Sequence, residues 1–392
     1  MANSLTIDQT STLLREVLKE ATGQETLTAL DTNQLLTLGQ KTLSNGYDPV
    51  INAVTQVISR TIFSNRPYKR KFASLRMTPE KWGNIVRKIV PIEREDNLQD
   101  NGYLPLTDNE SVDQYKIKKG KAVQLNFYGQ QTYELVLTIF DNQLDTAFNS
   151  AADFAAFMGS MFTQMLNKIE KIHEETARAT VSGFIAGKIA GDTSNVVHLI
   201  TEYNAATGAE LDATTVYAPA NFAPFMRWVY ARINSISRLM TEYSIKFHTN
   251  LSDGVIYRHT PEDMQKAYFY APLLSEMESR VLADTYHDTL LKLPGAEMVN
   301  FWQNIDSPDE INVKTPNYLG ADGTIKTASA DVKKGGVFGV LFDIEAMGYC
   351  PVMERVTTTP YNARGEYRNQ FWKFNERNYI DYTENGVVFL LD

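Results

Sequence analysis

The 392-residue sequence predicts a chain of the α+β class. Three observations carry this prediction, and the first two are the strand-like runs that dominate from Trp82 to Phe140 and the one long helical periodicity that follows from Ser150. A third is that short apolar runs return between helices up to the last residues. Strands and helices therefore occupy separate blocks of the sequence.

The first segment, residues 1–81, is predicted to be an N-terminal helical arm. Leu14 and Val17 begin a short amphipathic pattern, and Asp48-Pro49 combines a capping carboxylate with proline at the first helical position. Loops such as "SNGYD" separate these helices. The segment holds little core of its own, so we expect it to pack on something else.

Residues 82–129 are predicted to be an extended loop built as a long β-hairpin. The strand-like runs "NIVRKIVPIERE" and "YKIKKGKAVQLNF" are separated by a polar, turn-rich stretch. A two-stranded ribbon is marginally stable in water. This arm carries many charges, and we infer that the surface on which it lies belongs to another copy of the chain.

Residues 130–191 hold the strongest helical pattern of the sequence. Apolar residues recur at helical spacing from Phe154 to Ile185, which predicts a helix from Ser150 to Ala190 of about 60 Å at 1.5 Å per residue. Gly183 is a candidate early break. In "GFIAGKIAG", Gly183, Gly187 and Gly191 lie four residues apart, which indicates either a close backbone approach or a helix end at Gly191.

Residues 192–350 predict a mixed α and β domain, with helices beginning near Pro219 and Pro272. The stretch from Lys314 to Gly336 is predicted to be a loop. Residues 351–392 then give a turn at Asn362 to Gly365 and a strand, followed by a final hairpin at Asn385-Gly386. That hairpin would tie the apolar run Val387 to Leu391 into the core.

The composition excludes several classes of protein. The net charge of -9 disfavours a protein whose whole surface grips nucleic acid, and the apolar runs are too short to span a membrane. The first residues lack the pattern of a signal peptide, which predicts folding in a cytoplasm. The single cysteine, Cys350, excludes an internal disulfide and is predicted to be a small buried apolar side chain.

No catalytic or cofactor motif was found in the sequence. The histidines at 173, 198, 248, 259 and 287 form no ligand pair, and His173 is predicted to lie on a polar helix face. There is no phosphate-binding loop and no nucleophile elbow. We therefore predict no enzyme activity, no cofactor and no metal.

Three segments carry a resemblance to a known family: "TPEKWGNIVRKIVPIERE", "LNFYGQQTYELVLTIFDNQLDTAFNS" and "TPYNARGEYRNQFWKFNERNYIDYTENGVVFLLD". These words, and the order of elements, resemble the major capsid (major head) proteins of tailed double-stranded DNA phages. The resemblance is strongest to small podovirus-like phages of Gram-positive bacteria and spans nearly the whole chain. It implies the Hong Kong 97 fold.

In that fold the resemblance implies an N-terminal arm, an extended loop, a spine helix, an axial domain at 192–350 and a peripheral domain completed by the strands of 351–392. Such subunits form hexamers and pentamers of an icosahedral shell around a double-stranded DNA genome. The implied location is the virion capsid, assembled in the host bacterial cytoplasm. The implied partners are other copies of the chain, a portal, a scaffolding protein and packaged DNA contacted without sequence specificity.

The site residues are therefore predicted to be contacts between subunits rather than catalysts. On the ribbon they are Glu93, Arg94, Glu95, Asp96, Lys116, Lys118, Lys119 and Lys121. Arg364 and Glu366, in the turn near the peripheral sheet, are further candidates. Some family members crosslink a loop lysine covalently, but no residue match supports a crosslink in this chain.

Two alternatives stay open at this point. An encapsulin-like compartment would share the fold, although those chains are usually shorter and lack so long a helical arm. An enzyme with a scattered active site in residues 192–350 would also leave no motif.

Overall fold

The structure is a computed structural model that describes residues 70–76, 86–92, 108–109, 115, 117, 119–128, 131–140, 151–191, 193–281 and 296–392. Most of the predicted N-terminal arm lies outside these residues. The chain divides into two compact units. Unit 1 comprises residues 1–82, 130–176 and 350–377, and unit 2 comprises residues 83–129, 177–349 and 378–392.

The helices are α1 (Ala151–Gly191), α2 (Leu199–Thr207), α3 (Pro219–Met240) and α4 (Ala271–Val281). The strands in the first half of the chain are β1 (Val86–Ile92), β2 (Lys121–Phe127), β3 (Gln131–Phe140), β4 (Val196–His198), β5 (Gln265–Tyr270) and β6 (Ala296–Val299). The later strands are β7 (Ile311–Val313), β8 (Asn317–Leu319), β9 (Ile325–Thr327), β10 (Val332–Lys334), β11 (Val337–Asp343), β12 (Met347–Thr358), β13 (Tyr367–Ile380) and β14 (Gly386–Leu390).

Unit 1 is built on a three-stranded sheet in the order β12-β13-β3. β3 runs antiparallel to β13, from Phe140 opposite Tyr367 to Gln131 opposite Glu376. Alternate residues face a small core, in which Leu135, Trp372 and Phe374 pack with Met165 and Ile169 of α1. This period-2 burial is what one covered sheet face requires.

Helix α1 runs for 41 residues without a break, as the sequence predicts, and continues through Gly183. In unit 2 two of its glycines lie against tyrosine side chains. A Cβ added to Gly187 would overlap the hydroxyl end of Tyr382, and one added to Gly191 would overlap the ring of Tyr318. The closely approaching backbone is therefore confirmed, and Gly191 is also the last residue of the helix.

Unit 2 is built on a five-stranded sheet in the order β4-β14-β11-β5-β6. β11 is antiparallel to both β14 and β5, whereas β4 and β6 add parallel at the two edges. The core lies between this sheet and α3, where Met226, Val229 and Ile233 meet Phe269 and Phe389. Every residue of β11 and β14 is buried.

The last apolar run is core, as expected, but the predicted final hairpin is wrong. β14 pairs with β11 and with β4 rather than with β13. A strand buried along its whole length needs partners on both sides, which a terminal hairpin cannot supply. The Asn385 side chain is buried instead of lying at an exposed turn, and its amide donates to Thr260 Oγ1 over 3.1 Å.

The helices predicted near Pro219 and Pro272 are present as α3 and α4. The stretch 314–336, predicted to be a loop, instead contains β8, β9 and β10. β8 and β9 pair with each other around a turn that ends at Gly323, whose φ is +73°. The strands were not predicted because the stretch is polar and contains glycines, and because β9 is exposed along its whole length.

Cys350 is a free, buried thiol, as predicted. The prediction for His173 is wrong: its ring is 1% exposed and contacts the Glu376 carboxylate, which also accepts a 2.7 Å hydrogen bond from Thr176 Oγ1. The helix carries polar side chains on its covered face because β13 presents a buried glutamate there.

Candidate subunit-contact surfaces

The ribbon of unit 2 consists of β1 and β2, paired antiparallel from Val86 opposite Phe127 to Ile92 opposite Lys121. The pairing confirms a two-stranded ribbon. Its strands alternate between more and less covered residues, with Val90 only 2% exposed and Ile89 69% exposed. One face of the ribbon is therefore covered and the other is open.

The open part of the ribbon combines bulky apolar residues with lysines. Ile117 is 80% exposed and Tyr128 is 74% exposed. Lys119 and Lys121 are also exposed, at and just before the start of β2. Among the predicted contact residues of the ribbon, these two lysines are described; Glu93, Arg94, Glu95, Asp96, Lys116 and Lys118 lie outside the described residues.

The other predicted contact residues lie in unit 1, at the turn between β12 and β13. The Asn362 side chain organises this turn, because its Oδ1 accepts hydrogen bonds from the backbone N–H groups of Arg364 and Gly365, each over 3.1 Å. Glu366 has a φ of +52°, in the left-handed region that side chains other than glycine rarely adopt. Arg364 and Glu366 are both exposed, two residues apart.

Sequence reasoning missed the ionic cluster at the base of the ribbon. Lys88 of β1 contacts two carboxylates from the C-terminal part of unit 2. Its Nζ lies 3.1 Å from Asp381 Oδ2 and 2.5 Å from Glu384 Oε1. Arg258 Nη2 lies 2.8 Å from the same Glu384 oxygen. Glu345, which is more exposed, reaches Lys88 Nζ over 3.2 Å.

The cluster holds Asp381 and Glu384 away from water and covers most of the Lys88 and Arg258 side chains. Burial opposes the charge of Lys88, yet Asp381 and Glu384 outweigh it and hold the pKa of the ammonium above its usual value. Burial also raises the pKa of Glu384 to about 7, although Lys88 and Arg258 oppose this rise. Glu384 is therefore a carboxyl group that titrates near neutral pH.

Two apolar contacts accompany the ion pairs. Ile92 packs against the backbone at Gly254, and the ring of Phe127 lies 5.3 Å from that of Tyr379. The inference that the surface beneath the ribbon belongs to another copy is therefore wrong for the β1–β2 pair, which contacts its own chain at both ends. That part rests on its own chain because Lys88 finds counter-charges there.

Little in the sequence could have revealed this cluster. Lys88 is separated from its carboxylate partners by 293 and 296 residues, and each partner belongs to an ordinary polar stretch. The one available signal is that Lys88 lies two residues before Val90 in "RKIVPI", so a charged residue falls on the covered face of the strand.

Neither a metal site nor a membrane span was found in the part of the chain that the structure describes. No group of three His, Cys, Asp or Glu side chains there is placed to hold a metal ion. None of the helices in that part is long and apolar enough to cross a membrane.

These features define a class of protein: an α+β subunit with a charged, partly open ribbon and one very long helix, the architecture of phage capsid subunits of the Hong Kong 97-like fold. The chain belongs to the family of Phi29-like phage major capsid proteins, whose family model matches residues 13–390. It is thus a structural protein of the virion, the major capsid protein that forms the head shell of a tailed double-stranded DNA phage.

Solved structures support the same fold at low sequence identity. A chain of the Staphylococcus phage Andhra capsid is 12% identical, with a TM-score of 0.53 over 83% of this chain and 84% of that chain. A chain from the structure of the head fiber and inner core protein gp22 of bacteriophage P68 is 11% identical, with a TM-score of 0.53 over 82% and 85%. No curated protein sequence matches this chain.

Proposed function

We propose that this chain forms hexamers and pentamers of an icosahedral head shell and that the open part of the ribbon makes contacts between subunits. In this assignment residues 1–81 are the N-terminal arm, 82–129 the extended loop and 130–191 the part of the peripheral domain with the spine helix. Residues 192–350 form the axial domain, and 351–392 supply the C-terminal strands of the peripheral domain.

The observation that carries the proposal is the exposed apolar surface of the ribbon. Ile89, Ile117 and Tyr128 each leave more than two thirds of their surface in water. A thin ribbon has no core of its own in which to bury such side chains, and exposed apolar residues rimmed by charge are typical of protein interfaces. A neighbouring copy is the partner that a shell supplies in every position.

The lysines have a different role from the apolar residues. Lys119 and Lys121 are exposed, so a contact with a carboxylate of a neighbour contributes little free energy but favours correct approach. The chain as a whole carries a net charge of -9, so a neighbouring copy offers more carboxylates than cations to these two lysines. The apolar side chains then supply most of the binding free energy.

The test is assembly of the double variant Lys119→Glu with Lys121→Glu, compared with the charge-conserving pair Lys119→Arg with Lys121→Arg. We expect the acidic variant to fold normally by circular dichroism and to lose at least tenfold in particle yield, counted by negative-stain electron microscopy. The arginine pair should assemble as the unchanged chain does. Full particle yield from the acidic variant would remove the ribbon from the contact surface.

Within the same proposal, packaged DNA contacts the shell without sequence specificity, and a portal and a scaffolding protein are further partners. The acidic net charge supports weak contact with DNA, because phosphates bind tightly only to dense lysine and arginine surfaces. Empty shells of the purified chain should therefore retain little double-stranded DNA at 0.15 M salt in a sedimentation assay.

A further inference from the structure

The three-stranded sheet of unit 1 ends in an unusually regular edge. β3 pairs with β13 over ten consecutive positions without a register shift, and the described residues offer it no second strand. Its sequence QTYELVLTIF contains no proline, no glycine and one charge, Glu134. Natural edge strands are normally protected by bulges, prolines or several charges.

The outer face beside this edge is also partly apolar. Val136 is 52% exposed and Phe140 is 42% exposed. The charge on the face is already balanced, since Lys373 Nζ lies 3.1 Å from Glu134 Oε2. A long, regular strand edge with open apolar side chains and no net charge is suited to pairing with another strand.

We propose that β3 pairs antiparallel with β3 of a second copy across a two-fold axis centred on Val136, which joins two three-stranded sheets into one. This inference rests on the head shell that the family forms. An isologous contact brings the same surface of both copies together, so the edge must be complementary to itself.

A register centred on Val136 meets that requirement. On the outer face Val136 would lie opposite its own counterpart, and Glu134 would lie opposite Thr138. The two Glu134 carboxylates would be four residues apart along the strands, about 13 Å, so they would repel each other weakly. On the inner face Leu135 would lie opposite Leu137, and Tyr133 opposite Ile139. A register centred on Glu134 would instead place two carboxylates side by side.

The test uses the fact that the one native cysteine is buried. A single accessible cysteine can crosslink only to the same residue of another copy, so the residue must lie near a rotation axis that relates the two copies. The variants are Val136→Cys and, on the same strand and also exposed, Thr132→Cys. In the proposed register Thr132 lies opposite Phe140, and the two copies of Thr132 are eight residues apart.

Assembled particles of each variant are oxidised mildly and run on a non-reducing denaturing gel. We expect Val136→Cys to give a covalent dimer and Thr132→Cys to stay monomeric, while the double variant Thr132→Cys with Phe140→Cys forms a covalent dimer again. Particles of normal appearance in which Val136→Cys stays monomeric would overturn the inference, as would an equally strong dimer from Thr132→Cys. Failure of every variant and of the unchanged chain to form particles would instead contradict the shell itself.

Discussion

At the scale of single residues, the cluster of Lys88, Asp381, Glu384 and Arg258 has the largest chemical consequence. Its members are ordinary charged side chains whose properties change because they are buried together. The loss of hydration offsets much of the attraction within a buried ion pair, so the pair adds little to the free energy of unfolding. What they provide here is a specific position for the base of the ribbon and a carboxyl group that titrates near neutrality.

The first prediction concerns Glu384. Its folded pKa of about 7 lies above the unfolded value near 4.5, so the folded state binds more protons between these two pH values. The contribution of this group to stability is therefore fully present below about pH 4.5 and is lost as pH rises through 7. Glu384→Gln, which cannot ionise, should remove this part of the pH dependence.

The measurement is the urea midpoint of the unassembled subunit from pH 5 to pH 8, expressed as the difference between the unchanged chain and Glu384→Gln. We expect the unchanged chain to lose stability relative to the variant as pH rises. Glu345→Gln also removes a carboxylate near Lys88 but keeps Glu384, so it should retain the unchanged slope. A difference that stays constant over this pH range would show that Glu384 does not titrate there.

At the scale of elements, the sequence predicted those whose signal is local. The 41-residue helix α1 follows from apolar residues at helical spacing, and α3 and α4 follow from prolines at their first positions. Pairing between distant strands was not predictable in the same way. The run Val387 to Leu391 is visibly core, but its partners β11 and β4 depend on contacts that no local pattern encodes.

The candidate contact surfaces show the same difference between local sequence signals and contacts of distant residues. Charged residues on the ribbon could be listed from the sequence, and Lys119 and Lys121 are exposed as a contact role requires. Which lysine turns inward could not be predicted, because Lys88 and Lys121 lie on paired strands and differ only in what the rest of the chain places beneath them. His173 shows the same limit, since its partner Glu376 lies 203 residues away.

The second prediction concerns the packing of α1 in unit 2. Gly187→Ala would place a methyl group on the hydroxyl end of the half-buried Tyr382 side chain, whose hydroxyl donates a 2.9 Å hydrogen bond to Asn317 O. The ring must shift, and overpacking of this kind costs roughly 1 to 3 kcal/mol. We expect a lower urea midpoint for the unassembled subunit.

Gly120→Ala is the matched control for this substitution, because a Cβ at position 120 meets nothing within 4 Å. It should leave the midpoint nearly unchanged. If Gly187→Ala proved as stable as Gly120→Ala, the close approach between α1 and Tyr382 would not be rigid.

At the scale of the whole molecule, the chain combines two well-packed cores with a ribbon that is only partly covered. A shell built from many copies gains stability by repetition, so single contacts can be weak provided that each arm is already in position. An arm that moved freely would lose conformational entropy at every contact it made. The ionic cluster at the ribbon base therefore has a role in assembly as well as in folding.

This argument gives the last prediction, for the variant Lys88→Met. Methionine keeps much of the length of the side chain but leaves Asp381 and Glu384 without the ammonium between them, and a broken buried ion pair is strongly destabilising. The ribbon should separate from the rest of unit 2 while both cores stay folded. Hydrogen exchange of the unassembled subunit should then show faster exchange in Val86–Ile92, and particles should form more slowly and at higher critical concentration.

Arg87→Met changes the exposed neighbour on the same strand and should alter neither measurement. Unchanged exchange in Lys88→Met would mean that Ile92 and Phe127 hold the ribbon without the ion pairs, and slow assembly with unchanged exchange would place the effect of Lys88 elsewhere in the shell.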